Sequence, residues 1–315
     1  MDLAYFPREL ECTILEVAAN SDSTFIPTLL LVARRAHVWL EPLLYRQVYI
    51  STDPDFEWKR AQDAFFRIAA SKAPSFLAKS VRFVILELQD RAQLSQHFLD
   101  CVYSALWLCT GVEEIAVNGS HILNIGPTLL PIFSAMPLRR LGVFLEDLIP
   151  HPTPMKGHAP AFSALTHLDV YDNEGHSSRS RDLVRIIPFL TALPNLTHLA
   201  IHVPLDSYHV KQILDGCSRL QILAFVTCAI YREPSPFMES VQYLAESLGD
   251  ARILGTTFAE WMEVLSMVAP SFWRALDILI DQKKQGLIDD KHASTGDFWN
   301  KDTRDCIAKQ IRGLI

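Results

Sequence analysis

The sequence predicts an α/β chain: a helical module over residues 1–50, a curved parallel-sheet solenoid over 51–270, and a helical cap over 271–315. Three observations predict it. The first is an internal repeat. With Φ for an apolar residue, Φ-x-x-Φ-x-Φ occurs at Val81-Val84-Leu86, Val112-Ile115-Val117, Leu138-Leu141-Val143, Leu165-Leu168-Val170, Leu196-Leu199-Ile201 and Leu220-Leu223-Phe225. The first positions lie 31, 26, 27, 31 and 24 residues apart, with a weaker copy at Ala251–Thr256. The second is the helical character of the stretches between copies. The third is the absence of this repeat from the first 50 residues.

Each element follows from local pattern. Residues 5–50 read as three short helices. Pro7 suits a first helical turn. The Asn20-Ser21-Asp22-Ser23-Thr24 cluster is a loop and cap signal, and apolar runs at Ile14–Ala18 and Thr28–Val32 flank it. In each later unit the Φ-x-Φ pair is a short strand whose apolar residues face one side. Helices are predicted over 92–110, 126–136, 181–193, 208–217 and 236–248. In the first of these, Leu94, Phe98, Leu99 and Val102 form one apolar stripe. A strand, crossover helix and strand demand parallel pairing. No unit buries its face alone, so the stack is the folding unit. An ordinary doubly wound sheet is the competing architecture, but no G-x-G-x-x-G or phosphate-binding loop is present.

Composition sets the class. A chain of 315 residues with 49% hydrophobic and 21% charged residues has material for a large core. A net charge of −7, with no Lys/Arg stripe, argues against nucleic-acid backbone binding. No apolar run approaches the ~18 residues of a membrane span, and the N-terminus has no apolar leader core. Six cysteines (Cys12, Cys101, Cys109, Cys217, Cys228, Cys306) without a C-x-x-C read as reduced thiols. The expectation is a cytoplasmic or nuclear protein with no membrane or nucleic-acid partner.

Catalytic signatures are wanting. Glu113-Glu114 straddles a strand and Asp289-Asp290 sits in a polar loop, so both read as solvated charge. There is no G-x-S-x-G elbow and no cysteine with a histidine at a family spacing. No enzyme activity, catalytic residue or cofactor is expected. His198 and His202 would lie about 13 Å apart along a strand, too far to share an ion. His167 and His198 occupy equivalent positions in adjacent units, with Asp169 nearby on the same face. A metal site there is the minor alternative. The segments His151–Pro160 and His176–Arg181 read as loops, and Ser177, Ser178 and Ser180 in the second are chemically open to phosphorylation.

The open strand face is the expected partner surface. It would present Glu114, Asn118, Arg140, Phe144, His167, Asp169, Tyr171, His198 and His202, a mix of polar and aromatic groups suited to protein recognition. The stretch Ser271–Ile315, with Trp273, Phe298 and Trp299, is a candidate cover for the last, more apolar units.

Two resemblances sharpen this reading. The repeat, with its shared words Leu165-Thr166-His167-Leu168 and Leu196-Thr197-His198-Leu199, resembles irregular leucine-rich repeats that lack the usual closing Asn. Phe6-Pro7-x-Glu9-Leu10-x-x-x-Ile14-Leu15, followed by Leu29–Arg34 and Trp39-Leu40-Glu41-Pro42-Leu43-Leu44-Tyr45-Arg46, resembles an F-box. Together with Gly296-Asp297-Phe298-Trp299 it is similar to the F-box-like proteins abundant in mushroom-forming fungi. Phe6, Leu15 and Ala33 stand where that family has Leu, Phe and Cys. All remain apolar, although the Arg34–Trp39 spacing is longer. The resemblance implies a substrate-recognition subunit of a cullin-type (SCF) ubiquitin ligase. Phe6, Pro7, Leu10, Ile14, Leu15, Val32 and Trp39 would meet a Skp-type adaptor, and the repeats would hold a target protein. The alternative is a stand-alone binding scaffold in which these seven residues are the local core of a helical cap.

Overall fold

The computed structural model describes residues 6–21, 23–52, 59–88, 95–118, 126–148, 159–171, 183–202, 205–227, 236–257 and 272–286. The chain divides into two compact units, 1–122 with 127–138, and 123–126 with 139–315. The fold is α/β with parallel strands in both units.

The first unit opens with α1 (Arg8–Ser21), α2 (Ile26–Leu29) and α3 (Arg34–Leu40). Pro27 occupies the first turn of α2, where its missing N–H has no helical partner to lose. Then come β1 (Gln47–Ser51), α4 (Lys59–Ser71), α5 (Pro74–Ser80), β2 (Phe83–Glu87), α6 (Gln96–Leu108), β3 (Glu114–Asn118) and α7 (Gly126–Ser134). Ser95 caps α6, its hydroxyl oxygen accepting from the Phe98 amide at 3.2 Å. The three strands pair in parallel, with Val48, Val84 and Ile115 in one row and Ile50, Leu86 and Val117 in another. These rows hold the expected Φ positions of two copies. They also add a third, because Tyr45-x-x-Val48-x-Ile50 is itself a match. The expected module boundary at residue 50 therefore falls inside β1.

The second unit runs β4 (Arg140–Val143), α8 (Leu145–Leu148), β5 (His167–Val170), α9 (Leu183–Thr191), β6 (His198–Ile201), α10 (Ser207–Gly216), β7 (Ile222–Thr227), α11 (Pro236–Leu248), β8 (Ile253–Thr257) and α12 (Phe272–Lys284). Strands β4 to β8 pair in chain order, all parallel. The crossover helices α9, α10 and α11 contact one another in the same order. Leu141, Leu168, Leu199 and Leu223, with Val143, Val170, Ile201 and Phe225, are buried in register. Threonine side chains extend the ladder: the Thr166 hydroxyl donates to the Arg139 carbonyl at 3.1 Å and that of Thr197 to the Thr166 carbonyl at 3.0 Å.

The weak seventh copy is corrected by one residue. Leu223 pairs with Ile253 and Phe225 with Gly255, so the ladder continues through Ile253 and not through Leu254. A one-residue change of register sends every side chain to the other face, and Leu254 packs instead with α12. The expected helices appear within a few residues of their predicted bounds. No described helix is long and apolar enough to cross a membrane.

Candidate partner-binding surfaces

The helical module of the first unit has its own small core. Ala19, Ile26 and Leu40 are buried, and Leu15, Leu29, Leu30, Trp39 and Leu43 pack around them. Arg35 of α3 grips Glu11 of α1 through two bonds of 2.7 and 3.0 Å, which sets the α1–α3 pairing. The Pro7 carbonyl accepts from the amides of Leu10 and Glu11, starting α1 there.

The other face of α1 is apolar and uncovered. Phe6, Leu10, Ile14 and Val17 are 63%, 51%, 54% and 56% exposed. Their spacing of four, four and three residues puts them on one stripe. Leu31, Val32 and Val38 are exposed as well. Isolated exposed apolar residues are ordinary, but a contiguous stripe marks an interaction site. Of the seven expected adaptor contacts, Phe6, Pro7, Leu10, Ile14 and Val32 face solvent. Leu15 and Trp39 turn inward and belong to the module's core. Val17, Leu31 and Val38 were not singled out from sequence. The helical period from Phe6 reaches Val17, so that one was findable.

The expected recognition face divides between the units. In the first, Glu114 and Asn118 are half-buried at the two ends of β3. Beside them on β2, Glu87 Oε2 accepts from the Tyr49 hydroxyl at 2.9 Å and the Ser51 hydroxyl at 3.0 Å. Glu113 lies just before β3 and is exposed, solvated charge as expected, 4.0 Å from the Arg82 guanidinium, whereas Glu114 opens the strand and is half-buried.

In the second unit that face is covered, which corrects the expectation of an open surface. Helix α12 lies over it, burying Trp273, Leu276, Leu279 and Ile280 against Tyr171, Ala200, Ile222, Ala224, Val226 and Leu254. Asp169, Tyr171 and His198 are buried, while Arg140, Phe144, His167 and His202 keep partial exposure. The expected cover over the last repeats is thus real, and it reaches back to β5. His167 and His198 are in direct register, and their rings stack with centroids 4.1 Å apart and planes 9° from parallel. Trp273 meets both rings edge-on, at 5.1 and 5.7 Å. Asp277 Oδ1 is 2.9 Å from His198 Nε2. Thr166 and Thr197 Oγ1 each lie 2.7 Å from Nδ1 of the histidine that follows. Two residues along, Asp169 Oδ1 is 3.0 Å from His202 Nε2, and Tyr171 meets Phe144 and His202 edge-on. Burial, then the neighbouring His198 and Arg140, pushes the His167 pKa down to about 3, so this ring is neutral.

No group of three or more ligating side chains comes together among the described residues. The stacked rings have three of their four nitrogens engaged, two by threonines and one by Asp277. Burial raises the Cys109 and Cys217 thiol pKa values to about 12 and about 11, far from the thiolate a nucleophile needs. Cys228, Cys306, Asp289-Asp290, the loops at 151–158 and 176–181, and the Phe298-Trp299 segment lie outside the described residues. No protein-family model and no curated protein matches the chain.

Proposed function

We propose that this chain is the substrate-recognition subunit of a cullin-type ubiquitin ligase, acting in the cytoplasm or nucleus. The F-box-like helices dock a Skp-type adaptor, and the strand–helix units wind as a leucine-rich-repeat-like solenoid that receives a target protein. The chain performs no bond chemistry and needs no cofactor. It raises the effective concentration of the target beside a conjugating enzyme. The observation that carries this reading is the exposed apolar stripe of Leu10 and Ile14 on α1, with Phe6 just before it, set against Leu15 and Trp39 on the inner side. If these helices served only as a cap, the apolar stripe would be buried by the repeats it protects.

Target contacts fall to residues that keep exposure, namely Glu114 and Asn118 in the first unit and Arg140, Phe144, His167 and His202 in the second. The test is calorimetric titration of the full chain with a Skp-type adaptor, beside the variant Leu10→Asp, Ile14→Asp. Both side chains are about half exposed, so burying the remainder contributes about 1 kcal/mol each. Each aspartate adds the cost of a desolvated charge. The expected outcome is binding at micromolar strength or better, weakened at least ~30-fold in the variant, with thermal unfolding unchanged. No binding by a folded chain leaves the stand-alone scaffold as the better reading.

A further inference from the structure

We propose that α12 is an acid-released strap: a proton on His167, stacked against His198 beneath Trp273, drives this helix off the β5–β7 face. The inference does not depend on adaptor binding.

The grip of α12 at neutral pH is apolar, through Trp273, Leu276, Leu279 and Ile280. That contact is indifferent to protons. The pair beneath Trp273 is not. Two imidazoles lie face to face at 4.1 Å, and α12 brings them one bonded carboxylate, Asp277, on His198 Nε2. A proton on His167 would place a charge against the face of the His198 ring and beside Trp273, where burial opposes it.

Among the described residues, the neighbours do not offset that charge. On β4 the residue in register with His167 is Arg140, itself positive. Farther along β5, Asp169 is taken by His202 of β6. On β7, Ile222 is in register with His198, and Ile222–Thr227 carries no ionisable side chain. On α12, Arg274 is exposed and Lys283 donates to the Ile253 carbonyl at 3.2 Å. Undocking α12 returns the His167 ring to water, where burial no longer opposes its proton.

The sign follows. The docked state holds His167 neutral down to about pH 3, whereas a free imidazole charges near 6.5. The open state therefore binds one more proton in this window. Docking is full above about pH 6.5 and weakens as the pH falls. Release uncovers Asp169, Tyr171 and His198, the buried part of the strand face.

Hydrogen–deuterium exchange of the full chain between pH 7.5 and 5.0, corrected for intrinsic rates, tests this. Protection of peptides in 272–284 is expected to fall about tenfold per pH unit below 6.5, while α10 on the opposite side of the sheet keeps its protection. His167→Phe retains a stacked ring without a titrating nitrogen and should flatten the profile, as should His167→Gln. Asp277→Asn weakens the bond that α12 makes to His198 and should lower protection of 272–284 at every pH without flattening the profile. Protection in 272–284 that ignores pH, that is lost only together with α10, or that still falls with pH in both His167 variants overturns the proposal.

Discussion

Lowering the pH from 7 to 5 should destabilise the second unit through one ring, His167. Its pKa is held near 3 in the folded chain by burial, His198 and Arg140, while the unfolded chain protonates it near 6.5. A base with a depressed folded value gives the unfolded state the extra proton. Stability is therefore complete above pH 6.5 and falls below it. Each pH unit is worth about 1.4 kcal/mol, so the loss at pH 5 is about 2 kcal/mol. Carboxylates do not confuse this window. The Asp206 value is lowered chiefly by the His209 amide and the Asp250 value by Arg252, so their contributions decline only below the ordinary carboxylate range. Urea unfolding of the full chain at pH 7, 6 and 5, followed by circular dichroism, measures the slope. His167→Phe should flatten it. If α12 opens within this range, the native chain takes the proton too and the slope breaks; the break reports how strongly the strap is held. A slope that survives in His167→Phe, or no slope at all in the native sequence, refutes the reasoning.

Two further substitutions probe the packing that carries the surfaces. Leu40 is fully buried at the centre of the helical module, so Leu40→Ala should cost about 2–5 kcal/mol in a denaturation experiment. Gly142 lies on β4 beneath the Tyr171 ring, and an added Cβ would collide with the phenol. Gly142→Ala should cost about 1–3 kcal/mol, and adding Tyr171→Leu to the same chain should recover part of it.

The legibility of this chain follows the reach of each signal. Alternation within a strand is local, so Leu168-x-Val170 and Leu199-x-Ile201 announced their inward faces, and equal spacing set His167 beside His198. The pattern fails at β8, where Asp250 and Gly255 occupy two of the three apolar positions and the nearest match lies one residue off. At β1 it is hidden, because the copy there begins with Tyr45 inside a segment of helical character. What covers a face is a different kind of information. Trp273 and Asp277 sit some 75 residues or more from His198 in sequence, and no periodicity links them. The sequence could name 271–315 as a cover only from its aromatic content, not say which strands it would reach. The helical module shows the converse limit. A family pattern marks Leu10 and Leu15 alike as apolar, yet one faces solvent and the other the core. Apolar character alone does not separate a residue that holds a helix in place from one that waits for a partner. That distinction rests on which side of α1 meets Ile26 and Leu40. It is why the outward stripe, and not the motif, is the feature to mutate first.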